Sequence, residues 1–316
     1  GNGKMVDSDI HEPLKKGDFY WPSMQEADPE DLYSRPYPTE EFLDDWLART
    51  AELILNYRPR LLYFDWWVQH EAFKPYLKKL VAFYYNCGAE WGTNVAICYK
   101  HDAMAFGSGI VEMERGGFAE AKPYPWQTDT AVARNSWCYT NTLIYKTSQE
   151  IICTLVDVVS KNGNLLLNVG PKADGTLPEG DKKILRDLAD WMAVNREAIH
   201  GAKVWRKSSE GPTKMQEGQF SDQKEIVYTP QDYRFTVKHG NIYVIALKCP
   251  QDGNFCVRSL AESSDQNLPE FHGIIRQVEV LGYEKSPEWK TDAEGLHVKT
   301  SGFYSEFPVV LKIVVS

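Results

Sequence analysis

The chain is poor in cysteine, with six in 316 residues. Of Cys87, Cys98, Cys138, Cys153, Cys249 and Cys256, only the last two sit close together, and no CxxC pair occurs. Zinc ribbons and dense disulfide frameworks are thereby excluded. Several of these cysteines lie in apolar runs, where free buried thiols are common, which leans slightly towards a reducing compartment. No run of eighteen apolar residues exists, so no segment reads as a membrane-spanning helix. GxGxxG and GxxxxGK[ST] are both missing, which leaves nucleotide cradles without support. No HExxH or three-ligand cluster points to a metal, and no cofactor is expected. Basic residues are the minority, 35 against 44 acidic, for a formal charge of −9. That argues against a nucleic-acid surface. The opening GNGKMVDSDI has neither an apolar signal region nor Met at position 1, so it reads as a processed end or the start of a fragment.

What is present is ordinary globular composition, 43% hydrophobic and 25% charged, at a length that predicts two domains. Aromatics reach 13%, with 10 Trp and 17 Tyr. Sugar clefts use aromatic faces, and large β-rich cores also collect them. Before about residue 205, helical patterns alternate with short apolar strands. Thr39 caps a helix carrying Phe42, Leu43, Trp46, Leu47, Leu53 and Ile54 on one face. Leu61 to Trp67 is too short for a helix and reads as a buried strand. Helices follow at 73–85, 148–160 and 178–200, and buried strands at 94–99 and 164–169. That alternation predicts parallel α/β structure, with chemistry at the strand C-termini. From 206 the pattern changes to period-2 segments at 235–237, 242–247, 274–281, 296–299 and 309–315. His239-Gly240, Asp252-Gly253 and Glu294-Gly295 separate them, which predicts an antiparallel β-sandwich.

Asp65 ends an apolar strand among Phe64, Trp66 and Trp67. There it reads either as a carboxylate at a barrel mouth with aromatic walls or as the cap of the next helix. A glycosidase needs a second carboxylate, held ~5–5.5 Å away in retaining enzymes. Asp102, Glu112, Glu114, Glu120 and Asp129 are the candidates, and composition does not choose among them. His70 and His101 follow strands and read either as hydroxyl-binding or as structural. Asn168, at the end of a strand bounded by Gly163 and Gly170, is placed to orient a loop.

Several long segments carry a family resemblance. KNGNLLLNVGP (Lys161 to Pro171), then ADGTLPE, REAIHGAKVW, LLYFDWW, ERGGFAEAKPYPWQTDTAVARNSWCY, SSEGPT and RFTVKHGNIYVIAL resemble glycoside hydrolase family 29, the α-L-fucosidases, along nearly the whole chain. The resemblance implies a (β/α)8-like barrel, 1–205, followed by a β-sandwich, 206–316. It implies a retaining exo-hydrolase of α-L-fucose without a metal, acting on fucosylated oligosaccharides or glycoconjugates. Asp65 takes the nucleophile's place and Glu114 that of the acid/base, with Glu112 second. Tyr63, Trp67, Arg115, Trp126 and Trp137 fall in stretches that line or support the sugar pocket.

One departure stands out. A (β/α)8 barrel needs about 250 residues, and only 1–205 precede the sandwich. Four clear barrel strands can be counted, five at most. The paired histidines that the family carries early in the barrel are not in this sequence, which begins near a segment resembling VDSD. The barrel is therefore expected to be incomplete at its N-terminus. Either the chain is a fragment or a second chain supplies the missing segment. Two other readings compete: a barrel glycosidase cutting a different sugar, and a carbohydrate-binding remnant without activity.

Overall fold

The structure is a computed structural model and describes Tyr33 and residues 37–66, 68–263 and 270–316. Trp67 and the VDSD segment lie outside the described residues. The chain divides into two compact units, Gly1–Glu112 and Met113–Ser316.

In the first unit, α1 (Glu40–Tyr57) starts where Thr39 accepts a hydrogen bond from the Phe42 N–H, as its sequence predicts. It ends at Arg58, whose left-handed backbone (φ 46°) lets its N–H reach the Ile54 carbonyl. A short chain leads to β1 (Leu61–Phe64), then a 3₁₀ turn (Glu71–Phe73), α2 (Lys74–Glu90) and β2 (Ala96–Lys100). α2 continues past its predicted end at residue 85 to Glu90, because Cys87 and Gly88 extend its buried face. β3 (Ile110–Glu114) carries the chain into the second unit. β1, β2 and the start of β3 are parallel neighbours. Ile54, Leu80, Tyr84 and Ile97 form one core cluster, and Leu43, Phe73, Leu77 and Tyr99 another.

The second unit begins with β4 (Trp126–Ala131), α3 (Ser148–Ser160), β5 (Gly163–Asn168) and α4 (Glu179–Asn195). β4 and β5 pair in parallel from Trp126↔Gly163 to Ala131↔Asn168. The α3 limits coincide with the predicted ones, because Thr147 and Glu150 close a reciprocal capping box there. The helix predicted over 178–200 tightens into a 3₁₀ turn at Arg196–Ala198. The rest is all β among the described residues, apart from two more such turns. β6 (Lys203–Glu210), β7 (Tyr233–Lys238), β8 (Asn241–Ala246), β9 (Asn254–Val257), β10 (Ile275–Val280), β11 (Glu288–Asp292), β12 (Gly295–Lys299) and β13 (Val309–Val315) complete it. They form antiparallel sheets ordered β10-β13-β8-β7-β6 and β11-β12-β9. Phe235, Val244, Phe255, Leu296, Val298 and Leu311 from both sheets share one core, the sandwich arrangement. The opposite face of β8 and β13, through Tyr243, Ile245 and Val310, packs on Ile152, Val156 and Trp191 of α3 and α4. The strands after residue 205 therefore share a core with the helices before it.

Candidate active site

In the first unit the site grows from strand register. Phe64 pairs with Tyr99, so the next residues, Asp65 and Lys100, stand level at adjacent strand ends. Lys100 Nζ lies 2.9 Å from Asp65 Oδ1; the lysine side chain is 2% exposed and the aspartate 65%. The same ammonium stands 5.7 Å from the ring centroids of Tyr63 and of Trp66. A buried ammonium is costly without compensation, and here a carboxylate and two ring faces provide it. On the other side, Lys100 is level with Glu112 of β3, which is 1% exposed. The Glu112 charge adds to burial in pushing the Cys98 thiol up to about 12.

The two histidines separate. The Nδ1 of His70 accepts the Ala72 N–H and caps the turn before α2, a structural task. His101 has a left-handed backbone (φ 49°) and rests its ring 4.5 Å from Trp66, with Nε2 enclosed. Lys74 donates to the Asp102 and Ala103 carbonyls and pins the turn that follows β2. Asp102 itself is exposed, as is Glu120.

In the second unit Glu114 is 7% exposed and Asp129 9%. Arg115, also buried, takes a left-handed backbone (φ 48°) while its N–H donates to the Asp129 carbonyl. Its guanidinium donates to the carbonyls of Ala133 (3.1 Å) and Arg134 (3.3 Å) and lies 4.2 Å over the Trp137 ring. Asn168 donates to the Trp137 carbonyl at 2.7 Å, so this strand end does orient a loop. Trp126, in a stretch expected to line or support the sugar pocket, lies in the core. It is fully enclosed, its indole N–H donates to the Lys161 carbonyl, and its ring meets Phe118. A ring without exposed surface supports the fold and offers no face to a ligand.

A segment from beyond residue 205 joins these residues within the second unit. Gly218 bridges to Gly117, Phe220 N–H donates to the Glu114 carbonyl, and Asp222 N–H to that of Arg115. The Asp222 carboxylate takes Lys146 Nζ at 2.5 Å and the Thr130 hydroxyl at 2.5 Å, with Arg115 at 3.7 Å. Burial pushes the Lys146 pKa down, and Asp222 opposes that. A Cβ at Gly116 would stand 1.8 Å from the Gly218 carbonyl oxygen. Gly116→Ala should therefore destabilise the fold by about 2 kcal/mol or more. At Gly117 the nearest atom to a Cβ is the Trp126 ring at 3.3 Å. Gly117→Ala should cost clearly less, and urea unfolding of the two variants side by side checks the order.

One acidic cluster lies elsewhere. Ligand atoms of Asp292, Glu294 and His297 fall within 4.8 Å of one another at the β11–β12 turn. Asp292 Oδ1 is engaged there by the N–H groups of Glu294 and Gly295 and by the His297 ring. These contacts account for the cluster as a turn.

Residues 9–197 match the alpha-L-fucosidase family. The chain belongs to that family. Plasma alpha-L-fucosidase of Homo sapiens is 27% identical over 252 residues, covering 75% of this chain and 48% of the relative. The Rattus norvegicus plasma enzyme is 25% identical over 322 residues, covering 95% and 60%. The crystal structure of Thermotoga maritima alpha-fucosidase in complex with fucose superposes with a TM-score of 0.66 at 26% identity. The match covers 87% of this chain and 57% of that one. The chain thus spans about half to three-fifths of the length of these fucosidases.

Lys100, Lys146 and Asp222 were not legible as site residues. A lysine after a strand reads as solvated, and Asp222 lies 92 residues from its partner Thr130. The only signal at Lys100 was its place directly after an apolar strand, the same signal that singled out Asp65.

Proposed function

We propose that this chain hydrolyses terminal α-L-fucose from oligosaccharides or glycoconjugates by a retaining double displacement. The observation that carries the reading is the strand-end carboxylate of Asp65, exposed on one side and held by a buried ammonium on the other. Asp65 attacks the anomeric carbon and forms a fucosyl ester as the glycosidic bond breaks. Glu114, with Glu112 second, gives its proton to the departing oxygen. The same residue then takes a proton from water, which attacks the anomeric carbon of the fucosyl-enzyme and releases the Asp65 carboxylate. Tyr63, Trp67, Arg115 and Trp137 hold the sugar. The same proposal divides the chain into barrel, 1–205, and sandwich, 206–316, and treats the barrel as incomplete at its N-terminus. A second chain or a longer native chain then supplies the rest of the fucose pocket.

Release of nitrophenol from the α-L-fucoside, and not from the β-D-galactoside, is the expected result. NMR of the first-formed sugar should show retained configuration. An inverted product would sink the retaining mechanism, and cleavage of the galactoside alone would move the chain to another sugar. Intact mass of the native protein tests completeness, since a chain longer than this sequence would supply the missing barrel segment.

A further inference from the structure

A buried lysine, Lys100, stands beside the strand-end carboxylate of Asp65. We infer that Lys100 is a positioning residue that holds Asp65 through one carboxylate oxygen and presents the other to the anomeric carbon. The inference rests on the reading of Asp65 as nucleophile.

Ion pairs with an exposed partner add little to stability, about 0–1 kcal/mol. Fold stability alone is therefore a weak reason to enclose an ammonium at 2% exposure beside an aspartate at 65%. The arrangement does have a strong geometric effect. Lys100 belongs to β2, and its side chain is enclosed beside Tyr63 and Trp66. Its ammonium is thus a fixed point. Asp65 has left its strand and, without that point, would turn freely about its side-chain bonds. The 2.9 Å contact engages Oδ1 and leaves Oδ2 for bond formation.

Charge bookkeeping sets the kinetic consequence. Asp65 loses its negative charge when the fucosyl ester forms and regains it when water breaks the ester. An ammonium at Oδ1 stabilises the departing carboxylate in that second step. Glu112 stands level with Lys100 on the next strand. Asp65, Lys100 and Glu112 thus form a carboxylate–ammonium–carboxylate row across three parallel strands. That register gives the Glu112 carboxylate, 1% exposed, the place of a second counter-charge to Lys100.

The test is Lys100→Met in the full chain, with active sites titrated by a 2-fluoro-fucosyl inactivator that traps the ester. Per active site, kcat for an aryl α-L-fucoside should fall ~10²-fold. KM should fall with it, because the fucosyl-enzyme accumulates when its breakdown slows. A lysine needed only for folding would lower the number of active sites and leave both constants per site unchanged, and that result overturns the inference. Should Lys100→Met fail to fold, Lys100→Gln supplies a second arm. It keeps a polar side chain at the buried position and removes the charge that stabilises the departing carboxylate, so kcat and KM per active site should again fall together. Unchanged constants per site in Lys100→Gln overturn the inference. Wild-type protein that cleaves no fucoside and takes up no inactivator fails the fucosidase reading instead.

Discussion

Asp65→Asn should bind fucose as the wild type does, yet turn over about 10³-fold more slowly, a loss of roughly 4 kcal/mol of transition-state stabilisation. The amide keeps the size of the carboxylate and loses the charge that attacks the anomeric carbon, so the barrier to the first step rises. Glu114→Gln should differ in kind. A natural sugar leaving group needs a proton and will depart slowly, whereas an activated aryl group needs little help in the first step. Azide separates the two roles. In Glu114→Gln it should attack the fucosyl-enzyme from the face of the lost base and give a retained azide. In Asp65→Gly it should enter from the nucleophile's face and give an inverted one. NMR of the two fucosyl azides decides between them. An Asp65→Asn protein within a few fold of wild-type turnover removes Asp65 as nucleophile. Rescue of Glu112→Gln in place of Glu114→Gln moves the acid/base by one strand step.

Elements with a clear apolar period or turn signal were legible in the sequence, although β1 and β5, which read as buried strands, leave Leu61 and Leu166 each 45% exposed. β1, α3, β5 and the β7–β8 hairpin lie where hydrophobic period and turn chemistry place them. The His239-Gly240 turn has both residues at positive φ, 51° and 81°, as a tight hairpin requires. β3 and β4 were not legible as strands. WQTDTA is buried at all six positions, yet four of them are polar. Their burial is made tolerable by partners remote in sequence: Thr128 donates to the Met113 carbonyl, and Thr130 to Asp222. Periodicity sees only solvation preference, so a strand satisfied by distant hydrogen bonds reads as a loop. The same limit hid the site's supports. Asp65 stood out because it closes an apolar strand among aromatic residues. Lys100, its neighbour across the sheet, became visible only once strand register was known. Trp126 shows the same limit from the other side: an aromatic in a sugar-enzyme stretch reads alike whether it lines a pocket or supports it, and here it is fully buried.

Asp157 should be the costliest single charge to remove in the second unit. Its two oxygens hold Lys161 Nζ at 2.7 Å and Arg234 Nε at 2.5 Å. All three side chains are nearly enclosed, at 8%, 1% and 2% exposure. Burial alone would raise the Asp157 pKa, but Arg234 and Lys161 outweigh it and hold the carboxyl below its ordinary value of 3.8. The triad links α3, which carries Asp157, to β7, which carries Arg234, and so joins helix to sandwich. Lys161 also offers the carbonyl that fixes the Trp126 indole. Asp157→Asn leaves two buried cations without their carboxylate, a loss of about 3–5 kcal/mol. At 2–4 °C per kcal/mol in a unit of this size, the midpoint should fall by roughly 10 °C. The pH dependence has a definite sign. A carboxyl whose folded pKa is depressed contributes stability above its unfolded value, and that contribution disappears as pH falls through the folded one. The gap between wild type and Asp157→Asn should therefore be full at pH 7 and narrow below about pH 4. Replacing all three residues by apolar ones of similar volume should cost less than Asp157→Asn alone, because no unpaired charge then remains inside. Urea unfolding at pH 7 and in the acid range measures each of these differences. A loss below about 1 kcal/mol at pH 7 would show that water or a shifted backbone reaches Lys161 and Arg234 when Asp157 is gone.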